Sequence, residues 1–174
     1  MRKFLCVAVL AAGLTASALT RGAWAGEESI PLDKLPKAVV EAVKHRFPKA
    51  KMTEAAKETD GKKVEFEVTL MDGATKMDVM LTPDGKITLI EKVIDAKTLP
   101  KAVTAALGEE FPKATFKTVE EVITVTDGKE TLDFYEVLLT DANAKAWEVK
   151  ITPAGKITET EDKSKEKKEE KKDK

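Results

Sequence analysis

From Leu35 onward the apolar positions fall on a helical stripe. Val39, Val43 and Phe47 are spaced four apart, with Val40 beside them, which predicts one buried helix face. After Pro48 the period drops to two. Val64, Phe66, Val68 and Leu70 alternate with Glu65, Glu67 and Thr69, and Met77, Val79 and Leu81 alternate with Asp78 and Met80. Such alternation predicts antiparallel strands buried on one face only. The same succession then returns. Val103, Leu107 and Phe111 form a second helical stripe, followed by Tyr135, Val137 and Leu139 and by Trp147, Val149 and Ile151 at strand spacing.

The words of the sequence repeat as well as its pattern. Leu35-Pro36-Lys37-Ala38-Val39 recurs from Leu99, Phe47-Pro48-Lys49-Ala50 from Phe111, and Thr82-Pro83-Asp84-Gly85-Lys86-Ile87-Thr88 from Thr152 with one change. Pro36 and Pro100 suit a helix start, where a missing N–H leaves nothing unpaired. Pro48 and Pro112 stop the helices, because a residue before proline is pushed out of the α region. Asp60-Gly61, Asp72-Gly73, Asp84-Gly85 and Asp127-Gly128 are tight-turn pairs. The predicted fold class is therefore α+β: two tandem repeats, each a helix packed on a four-stranded antiparallel sheet. Strands are expected near 50–58, 63–71, 75–82 and 86–94, then near 114–126, 131–140, 145–152 and 155–160. The repeats span 33–95 and 96–158, after a linker at 26–32. A unit of about 60 residues buries too little surface to stand well alone, so the two are expected to lean on each other.

The ends read differently. Arg2 and Lys3, the apolar run Phe4–Leu19 and the small residues of Ala23-Trp24-Ala25 make a secretory signal, cut before Gly26. The only cysteine, Cys6, lies inside it, so an exported chain has no thiol, disulfide or cysteine metal site. Residues 159–174 are almost wholly charged and are expected to stay disordered. Removing the leader takes Arg2, Lys3 and Arg21 from 30 basic residues set against 31 acidic ones. A weakly acidic chain of this kind offers no field for nucleic acid or anionic lipid. Neither partner is expected, nor a membrane span after signal cleavage.

Leu-Pro-x-Ala-Val, Phe-Pro-x-Ala, Phe66-Glu67-Val68-x-Leu70 and Asp84-Gly85-Lys86-Ile87 together resemble the PepSY-like family, related in fold to the β-lactamase inhibitor protein. The second copy carries the pattern with Tyr135-Glu136-Val137-x-Leu139. The resemblance covers about 33–158. It implies a helix on a four-stranded sheet, twice, in an exported bacterial protein of the periplasm or the medium. PepSY domains take their name from peptidase propeptides and are linked to protease inhibition, while the inhibitor-like relatives bind a target enzyme across the concave sheet face. The motifs specify core and turns, and the family offers no catalytic residue to carry over.

The residue inventory agrees with a protein that binds rather than reacts. Outside the leader there is one histidine, His45, and the serines are Ser29 and Ser164, beside the cleavage site and in the tail. A Ser-His-Asp arrangement or a multi-histidine zinc site is excluded on that basis. No catalytic, metal or cofactor site is expected. Asp141 and Asn143 could touch a hard cation, but turn formation accounts for them better. Strand parity places Glu65, Glu67 and Thr69 on the face away from the helix, together with Phe134, Glu136 and Leu138, and predicts Met80 and Ile90 there too. Large apolar residues on an uncovered sheet are contact candidates, for a partner or for packing between the two repeats or in a homodimer. The expected partner surface is therefore Phe134, Leu138, Met80, Ile90, Glu136 and Glu67, with a protein or peptide as partner. A small-ligand or cation sensor of the envelope is the alternative.

Overall fold

The computed structural model describes residues 27–164. The expected signal peptide and the last part of the expected charged tail lie outside them. Nine strands among these residues form one antiparallel sheet in sequence order. They are β1 (Glu27–Ser29), β2 (Lys51–Asp60), β3 (Lys63–Asp72), β4 (Thr75–Leu81), β5 (Ile87–Val93), β6 (Thr115–Thr126), β7 (Lys129–Thr140), β8 (Ala146–Ile151) and β9 (Ile157–Asp162). Helix α1 (Lys37–Arg46) precedes β2 and helix α2 (Lys101–Glu110) precedes β6, each introduced by a short 3-10 turn.

The strands close into a single sheet because β5 pairs along β6, from Leu89 opposite Thr124 to Val93 opposite Glu120. Two boundaries move with this. The expected linker at 26–32 holds β1, which pairs with β2 from Glu27–Glu58 to Ser29–Ala56. The expected tail beginning at 159 is strand as far as Asp162, because β9 pairs with β8 down to Trp147–Asp162. In both places strand pairing supplies the order that local composition does not.

Both helices start directly after their prolines and end at the Phe-Pro pair, where the Phe47 and Phe111 amides donate to the Val43 and Leu107 carbonyls at 2.8 and 2.9 Å. Val39 and Val43 sit fully buried over Val68, Leu70, Val79 and Leu81. Val103 and Leu107 do the same over Val137, Leu139, Val149 and Ile151. Each such side chain contributes about 1.5–3 kcal/mol by leaving water. The two clusters lie on the same side of the sheet: Ile90 of the first faces Ile123 of β6, which shares its strand face with Val119 of the second.

The repeated turn after β4 and β8 docks on the helix start. Gly85 and Gly155 have φ of 86° and 84°, and an added Cβ would lie 2.6 Å from the Ala38 carbonyl oxygen and 2.5 Å from that of Ala102. Beyond each turn the register slips by one residue, between Met80 and Leu81 and between Lys150 and Ile151. These bulges leave Thr88 and Thr158 unpaired, and their hydroxyls donate to the Met80 and Lys150 carbonyls at 3.3 and 3.2 Å.

Candidate functional site: an acidic band on the open sheet face

Alternate residues of each strand point away from the helices, toward a side that no other helix or strand among the described residues covers. Along one row of this face Thr69 stands opposite Asp78, Asp78 opposite Glu91, and Glu91 opposite Val122. In the next row Val93 meets Glu120, Glu120 meets Glu136, Glu136 meets Lys150 and Lys150 meets Glu159. Carboxylates thus run as a band over the middle of the sheet. Asp78, Glu91, Glu120, Glu136 and Glu148 are all buried, Glu91 and Glu136 to 4% exposure. Half-buried Met80, Leu89, Phe134 and Leu138 share the face.

The cations sit at the two flanks and are engaged. Lys76 holds Asp78 at 2.6 Å, while the Thr69 hydroxyl donates to the other Asp78 oxygen at 2.7 Å. Lys150 holds Glu159 at 3.0 Å and also lies 5.8 Å from the Phe134 ring centre. Lys163 pairs with Glu161 at 2.9 Å and Glu148 at 3.6 Å. In the centre, burial raises the carboxyls, and their mutual repulsion raises them further. Glu91 is pushed up to about 9 by burial and then by Glu136, Glu120 and Asp78. Glu136 is pushed up to about 8 by burial and by Glu148 and Glu120. Glu120 rises to about 7 through burial and Asp78, with Lys76 opposing. Two oxygens in this band, Glu91 Oε1 and Glu136 Oε2, are buried with no hydrogen-bond partner.

Of the six expected contact residues, Phe134, Leu138, Met80, Glu136 and Glu67 point to this face. Ile90 does not: it pairs with Val79 and is 4% exposed inside the first helix cluster. Plain alternation through the Asp84-Gly85 turn would set Ile90 opposite Asp78, and the bulge at Thr88 turns it to the helix side. The same slip brings Leu89, Glu91 and Val93 onto the open face. Sequence reading missed Asp78, Glu91, Glu120 and Glu148 as a group. For Asp78 and Glu148 the available signal was a carboxylate between two apolar neighbours; Glu91 and Glu120 have one apolar neighbour each and gave no such signal.

The other candidates resolve simply. Asp141 accepts from the Asn143 and Lys145 amides at 2.8 and 2.9 Å and from the Trp147 indole at 3.0 Å, so its oxygens hold the hairpin. A cleft of about 300 Å³ between Phe111, Trp147 and Asp141 lies on the helix side. His45 is exposed on α1. Ser29 and Ser164 belong to the folded part after all, in β1 and after β9, where the Ser164 hydroxyl accepts from the Ala146 amide at 3.0 Å. Among the described residues no group of three or more His, Cys, Asp or Glu is placed to hold a metal, and no helix is long and apolar enough to cross a membrane.

A continuous meander, two helices on one side and a crowded acidic face on the other define an α+β protein with a free sheet surface. The chain belongs to the PepSY-like family: the family described as "Putative beta-lactamase-inhibitor-like, PepSY-like" matches residues 6–90 and again 65–159. A Bacteroides eggerthii structure described among "putative periplasmic proteins" aligns at 18% identity and TM-score 0.61, over 75% of this chain and 90% of its own. A DUF2874 family protein from Bacteroides uniformis aligns at 18% identity and TM-score 0.59, over 73% and 88%. A BLIP-like protein from Bacteroides fragilis aligns at 16% identity and TM-score 0.54, over 73% and 85%. At such identities these likenesses speak for fold alone. No curated protein matches the chain.

Proposed function

We propose that this is an exported, non-enzymatic binding protein that takes a protein or peptide partner on the open sheet face. The observation that carries the reading is the face itself. It joins half-buried Phe134, Leu138, Met80 and Leu89 to a charged band, with no helix or strand of the described residues over it. Apolar anchors among polar groups are the anatomy of a protein contact. The family description favours one form of this function, inhibition of an envelope or secreted hydrolase by occlusion, without a covalent step. Export is supported by the leader pattern of residues 1–25 and by the place named for the Bacteroides eggerthii protein.

The test is affinity capture from the native envelope fraction with wild type, Phe134→Asp and Leu138→Asp, each checked for an unchanged circular dichroism spectrum. Both variants are expected to lose the wild-type partner. Retention of that partner by both variants overturns the reading.

A further inference from the structure

Glu91 Oε1 and Glu136 Oε2 are the buried side-chain atoms of the described residues left without a hydrogen-bond partner. Unsatisfied buried oxygens are uncommon, and a ligand that brings the donor is one way to account for them. The two residues occupy neighbouring rows, with Val122 opposite Glu91 and Glu120 opposite Glu136. Nearby cations already hold other carboxylates: Lys76 holds Asp78 at 2.6 Å and Lys150 holds Glu159 at 3.0 Å. Half-buried Leu89 and Phe134 lie beside these residues on the open face, a surface suited to the methylene stem of a long basic side chain. A metal cage is not what this placement offers among the described residues.

We propose that the open face at Glu91 and Glu136 receives a lysine or arginine side chain from a partner polypeptide, which supplies the donor their buried oxygens lack. The inference rests on the reading of this face as a docking surface and names what the partner brings. Charge complementarity selects that occupant: the carboxylates outnumber the cations here, and two of their oxygens still lack a donor. Glu91 faces Glu67 from β3, Asp78 from β4, Glu120 from β6 and Glu136 from β7. Glu136 faces Glu120, then Glu148 and Lys150 from β8 and Lys163 beyond β9. With carboxyls at about 9 and about 8, both hold protons at neutral pH. An arriving cation drives the protons off, so binding releases protons and tightens as pH rises.

Calorimetric titration of the full chain tests this, with a capped tetra-arginine peptide as probe and capped tetra-glutamate as control. Each is run at two pH values and in two buffers of different ionisation enthalpy. The arginine peptide is expected to bind about tenfold more tightly for each pH unit through which a coupled carboxyl is protonated, with proton release. The double variant Glu91→Gln, Glu136→Gln is expected to melt no lower than wild type, to bind at least about tenfold more weakly and to lose the pH dependence. Equal binding by wild type and double variant overturns the proposal, as does failure of the arginine peptide to bind. Stronger thermal stabilisation by calcium chloride than by the peptide overturns it in favour of a metal. Binding that emerges only when residues 165–174 are deleted overturns it in favour of the chain's own lysines. If the peptide fails while Phe134→Asp still abolishes partner capture, the basic anchor alone is wrong; if capture also survives, the docking face falls too.

Discussion

The carboxyl of Glu91 differs between the folded and unfolded chain by its surroundings alone. In the fold, burial and the charges of Glu136, Glu120 and Asp78 hold it at about 9, against 4.5 for the free group. Glu136 and Glu120 follow at about 8 and about 7. Raised carboxyls mean that the folded chain binds more protons than the unfolded one, so stability falls as pH rises. Their contribution is whole below the unfolded value near 4.5 and is lost progressively until pH passes each folded value. Stability is therefore expected to drop between pH 5 and pH 9, by at most about 1.4 kcal/mol per pH unit for each group, and the melting temperature to fall with it. Glu91→Gln, which removes the charge and keeps the shape, should raise the melting temperature at pH 8 and flatten that slope. A melting temperature that climbs from pH 5 to pH 9 in wild type contradicts the burial of these groups as charges.

At the scale of elements, the repeated Thr-Pro-x-Gly turn is where sequence and packing meet most directly. Gly85 needs its positive φ of 86° and also leaves room for the Ala38 carbonyl, whereas Gly73, at φ 61°, has nothing within 4 Å. Gly73→Ala is expected to cost about 1–2 kcal/mol from the backbone alone. Gly85→Ala should cost about 3 kcal/mol or more, since the helix start must also move. Urea denaturation of the two variants measures the difference, and equal losses would mean that the turn does not press on α1. These turns were legible because glycine and proline chemistry is local, as were the helices, whose stripes and prolines agree. The bulge at Thr88 was not. One unpaired residue leaves the composition of β5 unchanged but reverses its faces, which misplaced Ile90 and hid Glu91. The acidic band was hidden for a related reason. Glu91, Glu120 and Glu136 read separately as outward strand residues, and only the pairing of β5 with β6 and β6 with β7 makes them neighbours. Phe134, Leu138 and Met80 were placed on the open face because no bulge intervenes between them and the strand residues from which parity was counted.

The whole molecule is coupled through that same pairing. The first helix cluster is not closed by its own strands, since Ile123 and Val125 of β6 pack against it. Leu99, Val103 and Leu107 of the second cluster follow on β5 through the Ala96–Thr98 turn, and Ile94, the residue after β5, packs against that cluster. Loosening either half therefore frees apolar surface in the other, and the two should unfold together. Trp147, the tryptophan of the described residues, packs 5.8 Å from Phe111 in the second cluster and reports on that half. Val79 is fully buried in the first cluster, under α1. Val79→Ala is expected to cost about 2–3 kcal/mol. If the sheet acts as one unit, the urea midpoint of Trp147 fluorescence should fall by the same amount as the midpoint of the far-ultraviolet dichroism, although the substitution lies in the other cluster. A Trp147 transition that stays at the wild-type midpoint while the dichroism splits in two would show that the halves fold independently. A partner resting on the band from Asp78 to Glu148 would then bridge two separately moving pieces. With one cooperative sheet it meets a surface already fixed before it arrives, and binding carries a smaller ordering cost.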